Sequence, residues 1–232
     1  MVGNFWLPVI LFSALIMSCD SSDTSEDILN KALPKAEEGD ANAQYVVASM
    51  FSYKDDEANA VKWYTRSAEQ GYYKSQSMLC SYYVYGKVIR KDFKKGLKWC
   101  SAAVENSTTP NSFGAGHVPY QIGLIYHDGG EGILQDYVGA YKWYGISVYL
   151  GGFKSNEAAE KRSTLEEKML PKQINSAQNQ TQLWVNEYEQ RELAKGPYYL
   201  AKKHDLNGEY KEALKWYKEA AEQRNADAAK RL

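Results

Sequence analysis

Lys62-Trp63-Tyr64, Leu97-Lys98-Trp99-Cys100, Tyr141-Lys142-Trp143-Tyr144 and Leu214-Lys215-Trp216-Tyr217 are four copies of one phrase in a chain of 232 residues. Two copies continue into nearly the same words, Ser67-Ala68-Glu69-Gln70-Gly71 and Ala220-Ala221-Glu222-Gln223. The first two Trp lie 36 residues apart, the next pair 44 and the last pair 73, which is two periods with one degenerate unit between. Periods of roughly 30 to 45 residues belong to two-helix repeats. Apolar residues at helical spacing, such as Val61, Tyr64 and Ala68, predict a helix in each copy. Such a helix buries its face only against a preceding helix and against neighbouring units. The predicted fold class is therefore all-α, an α-solenoid of antiparallel helix pairs, with Trp63, Trp99, Trp143 and Trp216 as its repeat core.

The first helix of each pair aligns as well. A small residue precedes an aromatic or His by three: Ala48 and Phe51, Cys80 and Tyr83, Gly123 and Tyr126, Ala201 and His204. Small side chains let two helix backbones approach closely, so these positions are expected to receive the bulky second helix.

With these phrases the chain resembles the Sel-one-like repeat family, relatives of the tetratricopeptide repeats. The matching elements are Gly39-Asp40-Ala41-Asn42-Ala43-Gln44-Tyr45, the Gly123 to Gly129 stretch, the four Trp phrases, and Leu170-Pro171-Lys172-Gln173-Ile174, which is similar to a segment common at the end of such arrays. The resemblance covers roughly residues 36 to 232 and implies a fold rather than a function. Its members are mostly adaptors, assembly factors or inhibitors.

The departures are informative. The turns Tyr53 to Asn59 and Asp205 to Glu209 lack the glycine-rich form usual in the family. Residues 106–116 read as a true loop, punctuated by Asn, Pro and Gly. A loop inserted between repeats is either tolerated or carries recognition. The fourth unit, Ser155 to Arg191, has lost the Trp phrase, and Pro171 suits the first turn of a new helix.

At the N-terminus, Phe5 to Met17 form an apolar run of signal-peptide length, too short to span a bilayer comfortably. Ile16-Met17-Ser18-Cys19 looks like a bacterial lipobox, where cleavage precedes a cysteine that receives lipid such as palmitate. Met1 to Trp6 lacks the Lys or Arg of an ordinary signal peptide, which a start site misplaced by several residues would explain. The expected organisation is a lipoprotein signal peptide over 1–18, lipidated Cys19 and a short tether over 19–24, and the helical repeat domain over 25–232. A cleaved soluble form and a short membrane anchor are the alternatives. Asp20 resembles the signal that holds lipoproteins in the inner membrane of enterobacteria-like systems; the outer membrane is the other possible home. Ser25 reads as the N-cap of a first helix with Ile28, Leu29, Ala32 and Leu33 on its apolar face.

Total charge is nearly balanced, 28 basic against 29 acidic residues, which argues against bulk nucleic-acid binding. Its distribution is uneven: residues 20–57 carry a net −7, and residues 86–98 a net +5 from Lys87, Arg90, Lys91, Lys94, Lys95 and Lys98 against Asp92. Each run is either a solvated face or, for the basic knuckle, a docking edge for an acidic partner or lipid headgroups.

Beyond Cys19 two cysteines remain, and an exported pair is expected to be oxidised. Cys80 replaces the small residue of a first helix and Cys100 the Tyr of a Trp-Tyr phrase, so both departures fall in one repeat at facing positions. A disulfide joining the two helices of the second unit is predicted; the alternative is two buried free thiols.

Catalytic chemistry finds no foothold. His117, His127 and His204 are not spaced with Cys or acid as a metal site would be, and no Gly-x-Ser-x-Gly or Ser-x-x-Lys occurs. Neither a cofactor, a metal nor a small-molecule substrate is expected. The 19 Tyr are many, and those on first helices lie on what the resemblance implies is the concave side. Tyr83 and Tyr126 are core by register. Tyr82, Tyr85 and Tyr198 are candidate partner-binding residues, with Lys94 and Lys95 on the basic edge.

The sequence thus points to a non-enzymatic, lipid-anchored protein on the periplasmic side that binds a protein along its concave or loop edge. By resemblance it is an immunity protein that neutralises a phospholipase-type effector delivered between bacteria. Scaffolding of an envelope assembly is the alternative. A cell-wall or β-lactam-directed enzyme is the remote one.

Overall fold

The computed structural model describes residues 25–107, 116–130, 132–194, 196–206, 208–223 and 225–232. Residues 1–18, read above as a signal peptide, Cys19, Asp20 and most of the 106–116 loop lie outside them. The elements are α1 (Ser25–Glu37), α2 (Ala41–Tyr53), α3 (Glu57–Glu69), α4 (Tyr73–Tyr85), α5 (Phe93–Asn106), α6 (His117–Asp128), α7 (Tyr137–Leu150), α8 (Ser155–Glu166), α9 (Pro171–Ala194), α10 (Pro197–Leu206), α11 (Tyr210–Glu222) and a short α12 (Ala226–Ala229). The chain is an α-solenoid of helix pairs, α2–α3, α4–α5, α6–α7 and α10–α11, with α1 packed on α2 as a cap.

The second helices of the first three pairs each start on an Asp that caps them; α11 starts on Glu209, whose side chain makes no cap. Asp56, Asp92 and Asp136 accept hydrogen bonds from backbone amides of α3, α5 and α7. The carboxyls of Asp56 and Asp92 lie below their ordinary range because of hydrogen bonds from Asn59 and Lys95 respectively. At the next corner a buried glutamine joins units: Gln44 Nε2 donates to the Ala36 carbonyl and Gln76 Nε2 to the Ala68 carbonyl, each at 3.0 Å.

The small first-helix residues receive the residue after each Trp. A Cβ added to Gly123 would lie 2.6 Å from the Tyr144 ring, so only glycine lets that ring seat. Tyr64, Tyr144 and Tyr217 are buried and end on hydrogen-bonding partners, Ser49, His127 and Asp205, each at 3.1 Å. Burial raises the Tyr64 hydroxyl to about 12 and the Tyr144 hydroxyl further. In the second unit Cys80 and Cys100 occupy the same facing positions and form a disulfide, with Cα atoms 4.9 Å apart.

The tryptophans differ from expectation. Trp63, Trp99, Trp143 and Trp216 are all half-buried, not the centre of each pair. Three of them are mortar between units. Trp63 packs on the α1–α2 cluster as well as its own, Trp99 touches the core of the first unit, and Trp143 that of the second. A helix-pair repeat has two interfaces, and successive residues on one helix point about 100° apart. The indole therefore serves the interface with the preceding unit while the residue after it serves the pair. Trp216, among the described residues, packs within the cluster of its own pair. Arg66, Lys98, Lys142 and Lys215 lie over the four indoles at 4.5 to 5.6 Å, covering their outer faces.

The fourth unit is not a pair. Helix α9 lies parallel to α7 rather than against α8: Gln178 reaches Tyr141, Thr181 the Lys142 carbonyl, and Glu189 Tyr149. It starts at Pro171, and Gln173 Oε1 accepts from the Leu170 amide, completing a start that Leu170 itself cannot cap.

Candidate binding surface

Helix α4 touches α6 directly, and α6 touches α8, so these three helices line the inner side of the array's middle. Across this inner side runs a strip of polar and aromatic groups drawn from three units. Tyr85 of α4 stands 6.4 Å from the His117 ring of α6, and His117 stands 4.9 Å from Phe153, in the turn before α8. Gln121 Nε2 donates to Ser81 Oγ at 2.7 Å, fixing α6 to α4. Tyr120 donates to Glu157, which also pairs with Lys154, and Lys154 lies over the Tyr120 ring at 5.2 Å. These two donors hold the Glu157 carboxyl below its ordinary range, Lys154 being the stronger.

His117 is the group of the strip whose ordinary pKa lies nearest neutrality. Burial, with some help from Lys154, pushes its pKa down to about 4, so the ring is neutral near pH 7. Its Nδ1 is buried without a hydrogen-bond partner among the described residues. Its Nε2 lies 3.4 Å from Ser81 Oγ, a long contact. Ser81 already donates to the Ser77 carbonyl at 3.1 Å and accepts from Gln121, and no carboxylate orients Nδ1. The pair therefore lacks the orienting group and free hydroxyl that nucleophilic catalysis uses. The geometry suits recognition: two exposed rings, one half-buried neutral imidazole and a paired Lys–Glu rim.

The candidate residues named from sequence scatter over this frame. Tyr85 lies in the strip and is 40% exposed. Tyr82 is corrected: it is 9% exposed, its ring packs on Tyr64 at 6.0 Å, and its hydroxyl donates to Glu57 at 2.7 Å. Tyr83, read as core, is instead half-buried under Lys95, and Tyr126 is half-buried too. The register counted only the pair interface of α4, whereas Tyr82 serves the interface with α3. Tyr198 is half-buried against Tyr199 and Tyr217 at the far end of the array. Lys94 and Lys95 are exposed on the first turn of α5, Lys95 pairing with Asp92 at 3.3 Å. Sequence reasoning missed His117, Gln121, Phe153, Lys154 and Glu157. Their meeting depends on how three units stack, which no spacing records.

Among the described residues no helix is long and apolar enough to cross a membrane, and no group of His, Cys, Asp and Glu could hold a metal ion.

Tandem antiparallel helix pairs joined by tyrosine-and-small-residue packing define an α-solenoid of the kind that mediates protein–protein interaction. The Sel1 repeat pattern matches residues 41–72, 74–107, 120–151 and 198–225, one match for each helix pair, and the chain belongs to the Sel1 repeat family. No protein of curated function matches it. Among solved structures it is similar to c5321, described as a protective antigen present in uropathogenic Escherichia coli strains displaying an SLR fold, with 26% identity and a TM-score of 0.58. That match covers 70% of this chain and 33% of c5321, so this chain spans a third of that protein's length. A Sel1 repeat protein from Oxalobacter formigenes is also similar, at 24% identity and a TM-score of 0.46, over 57% of this chain and 97% of that one.

Proposed function

We propose that this chain is a non-enzymatic lipoprotein of the bacterial envelope that binds a protein partner in its concave strip and thereby inhibits it. The observation that carries the reading is the strip itself: Tyr85, His117, Phe153, Lys154 and Glu157, gathered from three units on the inside of a solenoid. Tyrosine and aromatic anchors with a charged rim are the composition of protein interfaces. Cys19 carries the lipid, residues 1–18 are removed, and Asp20 keeps the protein in the inner membrane facing the periplasm. The Cys80–Cys100 disulfide fits that oxidising compartment. The partner is a phospholipase-type effector delivered by a rival cell, which an inhibitor tethered at the membrane meets where it acts.

The test is neutralisation. The full chain is co-expressed with the lipase-like protein encoded nearest to its gene and directed to the periplasm. Survival with the native chain and lysis with the Tyr85→Ala, Phe153→Ala double variant supports the reading. Lysis with both sinks inhibition, and co-purification with an envelope-assembly complex in that case favours a scaffold.

A further inference from the structure

Helices α1 and α2 form an antiparallel hairpin of equal length through the turn at Gly39, so Ser25 lies beside the end of α2. The end of α2 is where the α2–α3 turn begins. Because successive helices alternate direction, the α4–α5, α6–α7 and α8–α9 turns return to this same edge. Contacts confirm the alternation: Tyr82, near the end of α4, meets Glu57 at the start of α3, and Ile125, near the end of α6, stands by Gly96 at the start of α5. Lys168, after α8, lies 6.0 Å over Tyr137 at the start of α7.

Two properties concentrate on that edge. Large apolar side chains are left in solvent at its turns: Tyr53 is 75% exposed, Leu134 89% and Leu170 58%. Lys87, Arg90, Lys91, Lys94, Lys95 and Lys98, all exposed, crowd the α4–α5 turn and the first turns of α5. The acids of the edge are partly engaged by structure, since Asp56, Asp92 and Asp136 cap helices. Asp55 and Glu57 keep the first turn acidic, so net attraction for an anion is strongest at the second unit. Ser25, to which the tether of residues 19–24 is joined, also lies on this edge.

We infer that this edge of turns is a membrane-docking surface, seated on an anionic phospholipid bilayer. The inference rests on the membrane-tethered reading above and adds an orientation to it. A tether at residues 19–24 is short, so the edge that carries it is held within a few side chains of the headgroups. Leu134, Leu170 and Tyr53 enter the interfacial layer there, where apolar bodies and tyrosine hydroxyls are both accommodated. The six cations of the second unit meet the negative surface potential, each worth a severalfold change in residence near the surface. The solenoid then stands on its turns with the concave strip rising from the bilayer, open to a partner arriving along it.

The test is lysine footprinting of the full lipidated chain on vesicles. One set is phosphatidylglycerol with phosphatidylethanolamine, the other phosphatidylcholine alone, and acylation is read by mass spectrometry in 0.1 M salt. Lys74, exposed at the start of α4 on the opposite edge, is the internal control. On the anionic vesicles acylation of Lys91, Lys94 and Lys95 is expected to slow about fivefold or more relative to Lys74, with the protection lost at high salt. Leu134→Asp with Leu170→Asp is expected to reduce that protection while leaving flotation intact. A chain that floats with the vesicles but labels these lysines as fast as Lys74 overturns the docking and leaves the anchor standing. Slowing seen only on addition of poly-glutamate overturns it in favour of an acidic protein. A chain that floats with neither vesicle overturns the anchored reading and the docking together.

Discussion

The second and third units solve one packing problem in two ways. In the third, the first helix removes its side chain at Gly123 and the second helix fills the space with Tyr144. In the second, the same two positions are Cys80 and Cys100, each fully buried, and a covalent bond stands where ring packing stands next door. The pair interface therefore demands a filled, close contact but is indifferent to how it is made. A tyrosine needs a glycine or alanine opposite it, while a disulfide needs only a backbone separation of ordinary cystine length. The covalent solution also acts on the unfolded chain, which ring packing does not.

Breaking the packed version is expected to cost most. Tyr144→Ala removes a fully buried ring and its contact with His127, and should destabilise the chain by about 4 kcal/mol. Gly123→Val should cost about 3 kcal/mol, because the new side chain meets the ring and overpacks the pair. Urea unfolding checks both; a loss under 1 kcal/mol in either would show that the ring is not the keystone of its unit. The covalent version is tested by Cys80→Ser with Cys100→Ser, expected to cost about 3 kcal/mol for a closed loop of this length. Cys80→Gly with Cys100→Tyr transplants the third unit's answer into the second. It should be more stable than the double serine variant and insensitive to reductant. If it is no better than serine, the two units are not equivalent.

Next in size is the seam between units. Trp99→Ala, which removes a half-buried indole shared with the first unit, should cost about 2 kcal/mol. Repeat arrays couple through nearest-neighbour interfaces, so this loss should also broaden the transition, where Tyr144→Ala mainly lowers it.

How much of this was legible in the chain divides along the same line. The pair interface repeats within about twenty residues, so Ala48, Cys80, Gly123 and Ala201 aligned by eye, and Cys80 could be matched to Cys100. The interface between units leaves a weaker trace. Trp99 and Tyr82 looked like core and surface because only one buried face per helix was counted; each in fact serves the neighbouring unit. The degenerate unit hid most. Nothing in residues 155–191 announces that α9 turns from α8 to lie along α7, since the groups that hold it there, on Tyr141, Lys142 and Tyr149, lie 37 to 40 residues away in the chain. The concave strip was invisible for a similar reason. Ser81, His117 and Glu157 are neighbours only after three units are stacked.

The smallest expected effect separates the strip from the core around it, through pH. His117 is held neutral, with a pKa near 4 against an ordinary 6.5, by burial and by Lys154; Glu157 opposes that weakly. Between those two values the unfolded chain binds a proton that the folded chain refuses, so folding loses stability as pH falls from about 6.5 towards about 4. Above pH 6.5 the group contributes no pH dependence, because both states are neutral. Glu157, whose pKa is lowered by Lys154 and Tyr120, adds acid sensitivity only below the carboxylate range. His117→Gln should therefore match the native chain's midpoint dependence above pH 7 and fall less steeply between pH 6.5 and 5. Tyr144 titrates far above this window; its partner His127, also lowered from 6.5 by burial, adds the same dependence to both proteins and cancels in the comparison. Parallel curves for the two proteins would show that the imidazole is free to protonate in the folded state, and the strip would then be an open, hydrated surface rather than a desolvated one.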